Sequence, residues 1–321
     1  MLVDAHSHLD RFDLVGEGML ESALEEITQH RIFTVSNSMD LPSYRRNLAI
    51  GEMCGLVLPI FGVHPWNAPQ YAPRLDDLSE VVGQSPMIGE IGLDHTFVRN
   101  AAEYPAQRRV FEFFLAAANE QGKIINVHTK GAEELVLELL DRYEVPRAIV
   151  HWYSGPLDIF RELAARGVYF TVGVEVLYSE HIQAIAREIP PEQLLTETDN
   201  PGGPKQYIGR PGMPTLVRDV LQAVAEVKKS TVEAITETVQ SNVIELIRDT
   251  PWRPAGMFQP LGCSSRLDVQ AARHSEWKKP PLLSPPRARL FRATSPTVSC
   301  DEAVSALASD STSTCATTVS Q

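Results

Sequence analysis

The first 250 residues predict an α/β fold, and within that class a closed (β/α)8 TIM-type barrel. Two observations carry the prediction. Eight short apolar runs alternate with longer amphipathic stretches, and metal-type side chains recur where those runs end. The runs are Leu2 to Ala5, Ile32 to Val35, Leu56 to Val63, Met87 to Ile91, Ile124 to Val127, Ala148 to Val150, Val168 to Val172 and Leu194 to Thr196. Short apolar runs of this kind read as parallel strands covered on both faces. Between them, Ala106 to Gln121 places Val110, Phe113, Phe114 and Ala117 on one helical stripe, and Ala132 to Tyr143 does the same with Leu135, Leu139 and Leu140. Two more helices, 213 to 228 and 231 to 248, follow the eighth run, and Ser230-x-x-Glu233 reads as a capping box for the second. An open doubly wound sheet is the runner-up, but the chain has neither a Gly-x-Gly-x-x-Gly fingerprint nor a phosphate loop.

Composition bounds the rest. The 321 residues are 43% hydrophobic and 22% charged, ordinary for a globular protein, and a barrel takes about 250 of them. The remainder, 251–321, is rich in Ser, Thr and Pro, as in Pro280-Pro281, Pro285-Pro286 and the run from Ser309 to Thr314. It lacks an amphipathic period and is expected to be a disordered tail. It holds 8 Lys/Arg and 5 Asp/Glu out of 29 and 41 in the chain, so the acidic charge belongs to the body. Lys278, Lys279, Arg287, Arg289 and Arg292 suit either a polyanion contact or a solvated tail. No apolar run reaches membrane-spanning length, and Asp4 and His6 stand where a signal peptide has basic and apolar residues, so no membrane association and a cytoplasmic location are expected. The four cysteines are too scattered for a disulfide framework. Nothing indicates an obligate protein partner.

The chemistry sits at the strand ends. Alternation along the first strand points His6 and His8 to one side, where two imidazoles can hold one metal ion. Glu90 interrupts the fourth run, His128 and His151 end the fifth and sixth, and Asp199 follows the eighth. All fall at carboxyl ends of strands, the face on which barrel enzymes build active sites. Four histidines and two carboxylates exceed the three protein ligands that one catalytic zinc-type ion needs, which points to two divalent ions sharing a carboxylate. Mixed nitrogen and oxygen donors suit Zn, Mn, Fe or Co better than an all-oxygen cage, with Mg kept as a candidate because ligand types do not fix the metal. Arg210, in a Gly-Arg-Pro loop after the last strand, is placed to meet phosphate, or is a plain surface arginine.

Six motifs in order resemble the TatD-type metal-dependent DNases of the amidohydrolase superfamily. They are His6-Ser7-His8-Leu9-Asp10, Gly62-Val63-His64-Pro65, Gly89-Glu90-Ile91-Gly92-Leu93-Asp94, Asn126-Val127-His128, His151-Trp152-Tyr153-Ser154-Gly155 and Glu197-Thr198-Asp199-Asn200-Pro201. The resemblance covers residues 1 to 250. It implies a binuclear site with His6, His8, Glu90 and Asp199 on one ion and Glu90, His128 and His151 on the other. It also implies phosphodiester hydrolysis, with metals that bind phosphate and lower the pKa of a water, and with Asp199 orienting that water or accepting its proton. His64 would assist substrate binding or catalysis, and Asp94 would hold a loop or a ligand histidine.

The match has departures. His95 stands where an aromatic residue is common in the family, and Asn200 to Pro214 follows the family loop only in part. The acidic body argues for DNA ends, a nucleotide or a small phosphoester over long duplex DNA. Arg45-Arg46 and Arg108-Arg109 are a basic rim or, more simply, solvated helix faces. His30, His181 and His274 receive no catalytic role. Two other readings remain: an amidohydrolase-type hydrolase of small-molecule C–N or C–O bonds, which a strand-end lysine for a carbamylated bridge would favour, and a noncatalytic module, which lost ligands would favour.

Overall fold

The computed structural model describes residues 1–248 and Thr250. Its first part runs β1 (Leu2–Ser7), α1 (Met19–His30), β2 (Ile32–Asn37), α2 (Leu41–Met53), β3 (Val57–Ile60), the short α3 (Ala68–Tyr71) and α4 (Ser79–Gln84), and β4 (Ile88–Gly92). The second runs α5 (Tyr104–Gln121), β5 (Ile124–His128), α6 (Glu133–Arg142), β6 (Arg147–Val150), α7 (Leu157–Ala165), β7 (Tyr169–Val172), α8 (Glu180–Glu188) and β8 (Leu194–Thr196). It ends in α9 (Lys205–Ile208), α10 (Val217–Lys228) and α11 (Val232–Ile247). All eight expected strands are present.

Every strand pairing is parallel, in an arc β1-β2-β3 and an arc β4-β5-β6-β7-β8. Two seams join the arcs. Between β3 and β4 a single bridge pairs Phe61 with Ile88, and the Gly89 amide donates to the Phe61 carbonyl at 2.9 Å. Between β8 and β1 the Thr196 hydroxyl donates to the Val3 carbonyl at 2.7 Å, and the Asp199 amide to the His6 carbonyl at 2.9 Å. Asp4 adds two bonds there, accepting from the Thr198 amide and hydroxyl at 2.9 and 2.5 Å. Its burial nevertheless pushes the carboxyl up to about 7. The sheet is therefore a TIM-type barrel, and the open alternative is excluded.

Three local expectations are corrected. The third run, expected as Leu56 to Val63, is a strand only over Val57–Ile60. Gly62 then lies so close to the Glu90 backbone that a Cβ would overlap it, and Pro65 starts a 3-10 turn. On α5 Val110, Phe114 and Ala117 are buried as expected, but Phe111, Leu115 and Ala118 join them and Phe113 is only half-buried, because the helix turns the Phe111 side inward against β4. On α6 Val136 and Leu137 join Leu139 and Leu140 inside, whereas Leu135 is half-buried.

The cap of α11 is shifted by one residue. The N-cap is Thr231, not Ser230: its backbone is extended (φ −92°, ψ 156°), and its hydroxyl accepts from the Ala234 amide at 3.2 Å. Cys54 is buried and free. Residues 251–321, with His274, the basic cluster and the other three cysteines, lie outside the described residues. No described helix is long and apolar enough to cross a membrane.

Replacing Thr231 with Ala removes the acceptor for an orphan helix amide, at a cost of about 1 kcal/mol. Ser230→Ala is expected to change stability by less than about 0.5 kcal/mol, as for a surface substitution. Urea unfolding of the two variants checks this, and equal losses would refute the assigned cap.

Candidate metal centre

Parallel strands bring their carboxyl ends to one rim, and β1, β4, β5, β6 and β8 each deliver a polar side chain there. The Glu90 carboxylate is the hub. Its Oε1 lies 2.8 Å from His151 Nε2, 2.9 Å from His128 Nδ1 and 3.3 Å from His64 Nε2. Its Oε2 lies 3.2 Å from His8 Nε2 and 3.5 Å from His6 Nε2. Asp199 Oδ1 joins the second group, 3.4 Å from His8 Nε2 and 3.8 Å from His6 Nε2. The structure thus brings His6, His8, His64, Glu90, His128, His151 and Asp199 together.

Hydrogen bonds behind the rings decide which nitrogens carry protons. His6 Nδ1 faces Asn126 Oδ1 at 3.0 Å, and His8 Nδ1 faces the Asn37 carbonyl at 3.1 Å. His128 Nε2 faces Asp94 Oδ2 at 3.2 Å. All three partners accept, so each ring donates backwards and turns a lone pair towards Glu90. His151 lacks such a bond: its Nδ1 lies 3.5 Å from Glu197 Oε2, but neither atom has a hydrogen-bond partner among the described residues, and its Nε2 still faces Glu90. Two pairs of such inward nitrogens then confront each other, His6 Nε2 with His8 Nε2 at 3.3 Å and His128 Nδ1 with His151 Nε2 at 3.2 Å.

Lone pairs facing lone pairs beside buried carboxylates call for cations, and nitrogen with carboxylate oxygen is a donor set that divalent transition ions accept. His64 differs. Its Nδ1 accepts from the Trp66 amide at 3.2 Å, which leaves the proton on Nε2, the atom aimed at Glu90. Although its atoms are close enough to join a cluster with Glu90 and His128, in this tautomer it is an N–H donor.

Without metal ions, protons on some of these rings take over part of that neutralisation. Burial opposes ionisation of Glu90, but His64, His151, His6 and the bond to His128 outweigh it and hold the carboxyl well below its usual range. Burial opposes Asp199 as well, and His8 keeps it ionised. Burial depresses the rings of His8, His64, His128 and His151; in His8 the pull of Asp199 and Glu90 reverses this, in His128 that of Asp94 and Glu90. In His64 burial prevails and lowers the ring to about 4. Two strained residues set the rim, because Asp199 (φ 52°) and Trp152 (φ 41°) are non-glycine residues in the left-handed region. Gly203 sits where a Cβ would overlap the Asp199 carboxylate.

The centre forms the floor of a cavity of about 1240 Å3, whose wall includes Arg11, Lys130 and Lys205. Arg210 lies elsewhere, in a separate depression of about 250 Å3 with Met213 and Arg218. The other arginine pairs read as a possible rim are solvated faces, with Arg46 held by both oxygens of Asp13 and Arg108 bonded to Glu112. His30 accepts from Arg218, and His181 donates to the Gly155 carbonyl. His95 stacks on Tyr104 at 3.7 Å.

Several contributors went unassigned in the sequence. Asn37 ends β2 as His128 ends β5, a polar residue closing an apolar run, and the same cue could have found it. Asn126 and Glu197 lie inside strand motifs, but nothing in the sequence tells which way they face. Lys130, two residues beyond β5, donates to the Trp152 carbonyl at 2.6 Å and the Ser154 hydroxyl at 2.7 Å, and burial lowers its ammonium pKa.

Comparison with known proteins shows the family and the fold. The family model described as TatD related DNase matches residues 3–248. An uncharacterized metal-dependent hydrolase, YabD of Bacillus subtilis, is 29% identical over 258 residues, covering 77% of this chain and 99% of that protein. The human deoxyribonuclease TATDN3 is 25% identical over 262 residues, 76% of this chain and 94% of its own. Among solved structures, YJJV, a TatD homologue from Escherichia coli, superposes with a TM-score of 0.69 at 21% identity, over 76% of this chain and 97% of that one.

Glu197 supplies a test in the metal-free protein. Burial lifts its carboxyl from 4.5 to about 8, so the folded chain binds this proton more tightly than the unfolded chain does. The associated stability is present below pH 4.5 and is lost as pH rises through about 8. Thermal melts of chelator-treated protein between pH 5 and 8 should show a smaller decline for Glu197→Gln than for wild type, and parallel declines would disprove the assignment.

Proposed function

The chain belongs to the TatD-related DNase family and is a metal-dependent hydrolase, and from this we propose that it hydrolyses phosphodiester bonds at a pair of divalent ions, with DNA ends or a small phosphoester as substrate. The observation that carries the two-ion reading is the division of the histidines between the two oxygens of Glu90. On it, His6, His8, Glu90 and Asp199 would hold one ion, and Glu90, His128 and His151 the other, with Glu90 shared between the two sets. When bound, such a pair supplies Lewis acidity to phosphate oxygens and a water acidic enough to react near neutral pH.

The chain's own groups do the rest. Asp199 is ionised and its side chain is one-fifth exposed, which suits it to orient the incoming water through Oδ2 and accept a proton there. His64, neutral and protonated on Nε2, offers an N–H to a substrate oxygen. Asp94 accepts from the Trp66 indole at 2.6 Å and from the Thr96 and Phe97 amides at 3.0 and 2.8 Å, and so fixes His128 and the β4 loop together. Lys130, Lys205 and Arg11 offer the cavity its positive charge, the role first considered for Arg210. The name of human TATDN3 supports a nucleic-acid substrate. Against the small-molecule amide or lactone alternative, Glu90 occupies the place of a bridging lysine, and Lys130 points its amine at Trp152 and Ser154.

Metal-reconstituted protein should release nucleotides from end-labelled DNA and bind two metal equivalents. Glu90→Gln should lose the paired site and at least a hundredfold in rate. Failure of the wild type to cut single- or double-stranded DNA, or undiminished cutting by Glu90→Gln, would refute the phosphodiesterase reading. One equivalent in elemental analysis would refute the pair.

A further inference from the structure

Six large hydrophobic side chains are exposed among the described residues, and most gather at one place. Leu14, Trp66 and Phe97 line the central cavity, and Tyr178 stacks on Tyr207, which lines it too. Exposed apolar groups gathered at a cavity mouth mark a ligand surface.

The aromatic residues form two walls. On one side, Trp152 directly follows His151 and is anchored by its indole N–H to Glu175 at 2.6 Å. Its ring stacks with Tyr207 at 5.9 Å and 28°, and Tyr207 with Tyr178 at 5.8 Å and 11°. Exposure rises along this ladder from 6% at Trp152 to 58% at Tyr178. On the other side, Trp66 packs edge-on against His64 at 4.7 Å, and Phe97 against Trp66 at 6.3 Å. Each wall therefore runs from a residue at the candidate metal centre out to solvent. Arg11, Lys130 and Lys205 line the same cavity.

Flat apolar faces beside cations match a polymer that alternates flat bases with phosphates. A cavity of about 1240 Å3 also exceeds the roughly 300–1,000 Å3 typical of small-molecule pockets. Resting on the phosphodiesterase reading, we propose that the Tyr178–Tyr207–Trp152 ladder and the Trp66–Phe97 pair are stacking platforms for the bases on either side of the phosphate held at the metals. Recognition by stacking tolerates any base sequence.

The experiment compares a six-nucleotide thymidine strand with an abasic strand of equal length and charge. It measures both cleavage by metal-loaded protein and equilibrium binding by fluorescence anisotropy. Wild type should bind and cut the base-bearing strand with a Kd and KM about tenfold lower. Phe97→Ala and Tyr178→Ala, at positions more than half exposed and so safe for the core, should each remove most of that preference. Met53→Ala, an exposed apolar position on α2 outside the cavity, should keep it. Equal handling of the two strands by wild type, a preference unchanged in both variants, or no binding of either strand would overturn the platforms. Preferential binding without cleavage would overturn the hydrolysis reading and leave the platforms standing; cleavage without preference would do the reverse.

Discussion

One buried carboxylate organises the molecule. Glu90 is 1% exposed, and an ionised group so deep is tolerated only with partners of opposite or polarisable charge. Five imidazoles surround it, and the rear hydrogen bonds of His6, His8 and His128 remove the freedom of those rings to turn away. The backbone yields to the same need. Gly92 (φ 141°) passes so close to the His128 carbonyl that any Cβ would overlap it, and Gly62 presses on the Glu90 backbone. Close approach of β3, β4 and β5 around one side chain therefore dictates glycine at two places.

Barrel closure serves the same hub. The group around Glu90 Oε2 takes His6 and His8 from the first strand and Asp199 from beyond the last, so it exists only if β8 returns to β1. Asp4 holds that seam through Thr198, and the Asp199 amide bonds the carbonyl of His6 itself. Side chains at opposite ends of the barrel sequence are thus fixed by backbone bonds next to them. A distortion of either terminal strand would reach the site directly.

How far this was legible from sequence follows from the same geometry. Parallel strands buried on both faces show as apolar runs, and a polar residue that ends such a run is visible against them. That is why all eight strands and the convergence of His6, His8, Glu90, His128, His151 and Asp199 could be read. Loops carry no such period. Arg210 follows a strand in sequence, yet the chain past α9 takes it into a different depression, while Lys205 and Tyr207 of α9 face the cavity. The inward turn of Phe111 and the cap at Thr231 were missed because neighbouring residues offered equally good local patterns, and tertiary packing chose between them.

A net charge of −12 is an odd background for a polyanionic substrate, and the arrangement of charge resolves this. On the outer helices cations are matched with acids, as in Arg46 with Asp13, Arg161 with Glu188 and Arg166 with Asp141. At physiological ionic strength the Debye length is about 8 Å, so acidic groups on the far surface act weakly at the cavity mouth. A phosphate entering there meets mainly what lies within that distance, and in the cavity wall Arg11, Lys130 and Lys205 outnumber Glu133 and Glu175, the acids there outside the candidate metal centre. Three cations cannot track a long duplex, whose binding strength grows with the number of phosphates neutralised. They can hold the few phosphates of a strand end, and the aromatic faces beside them add a contribution that salt does not screen. On the phosphodiesterase reading, the acidic exterior then limits the substrate to what the cavity itself can grip.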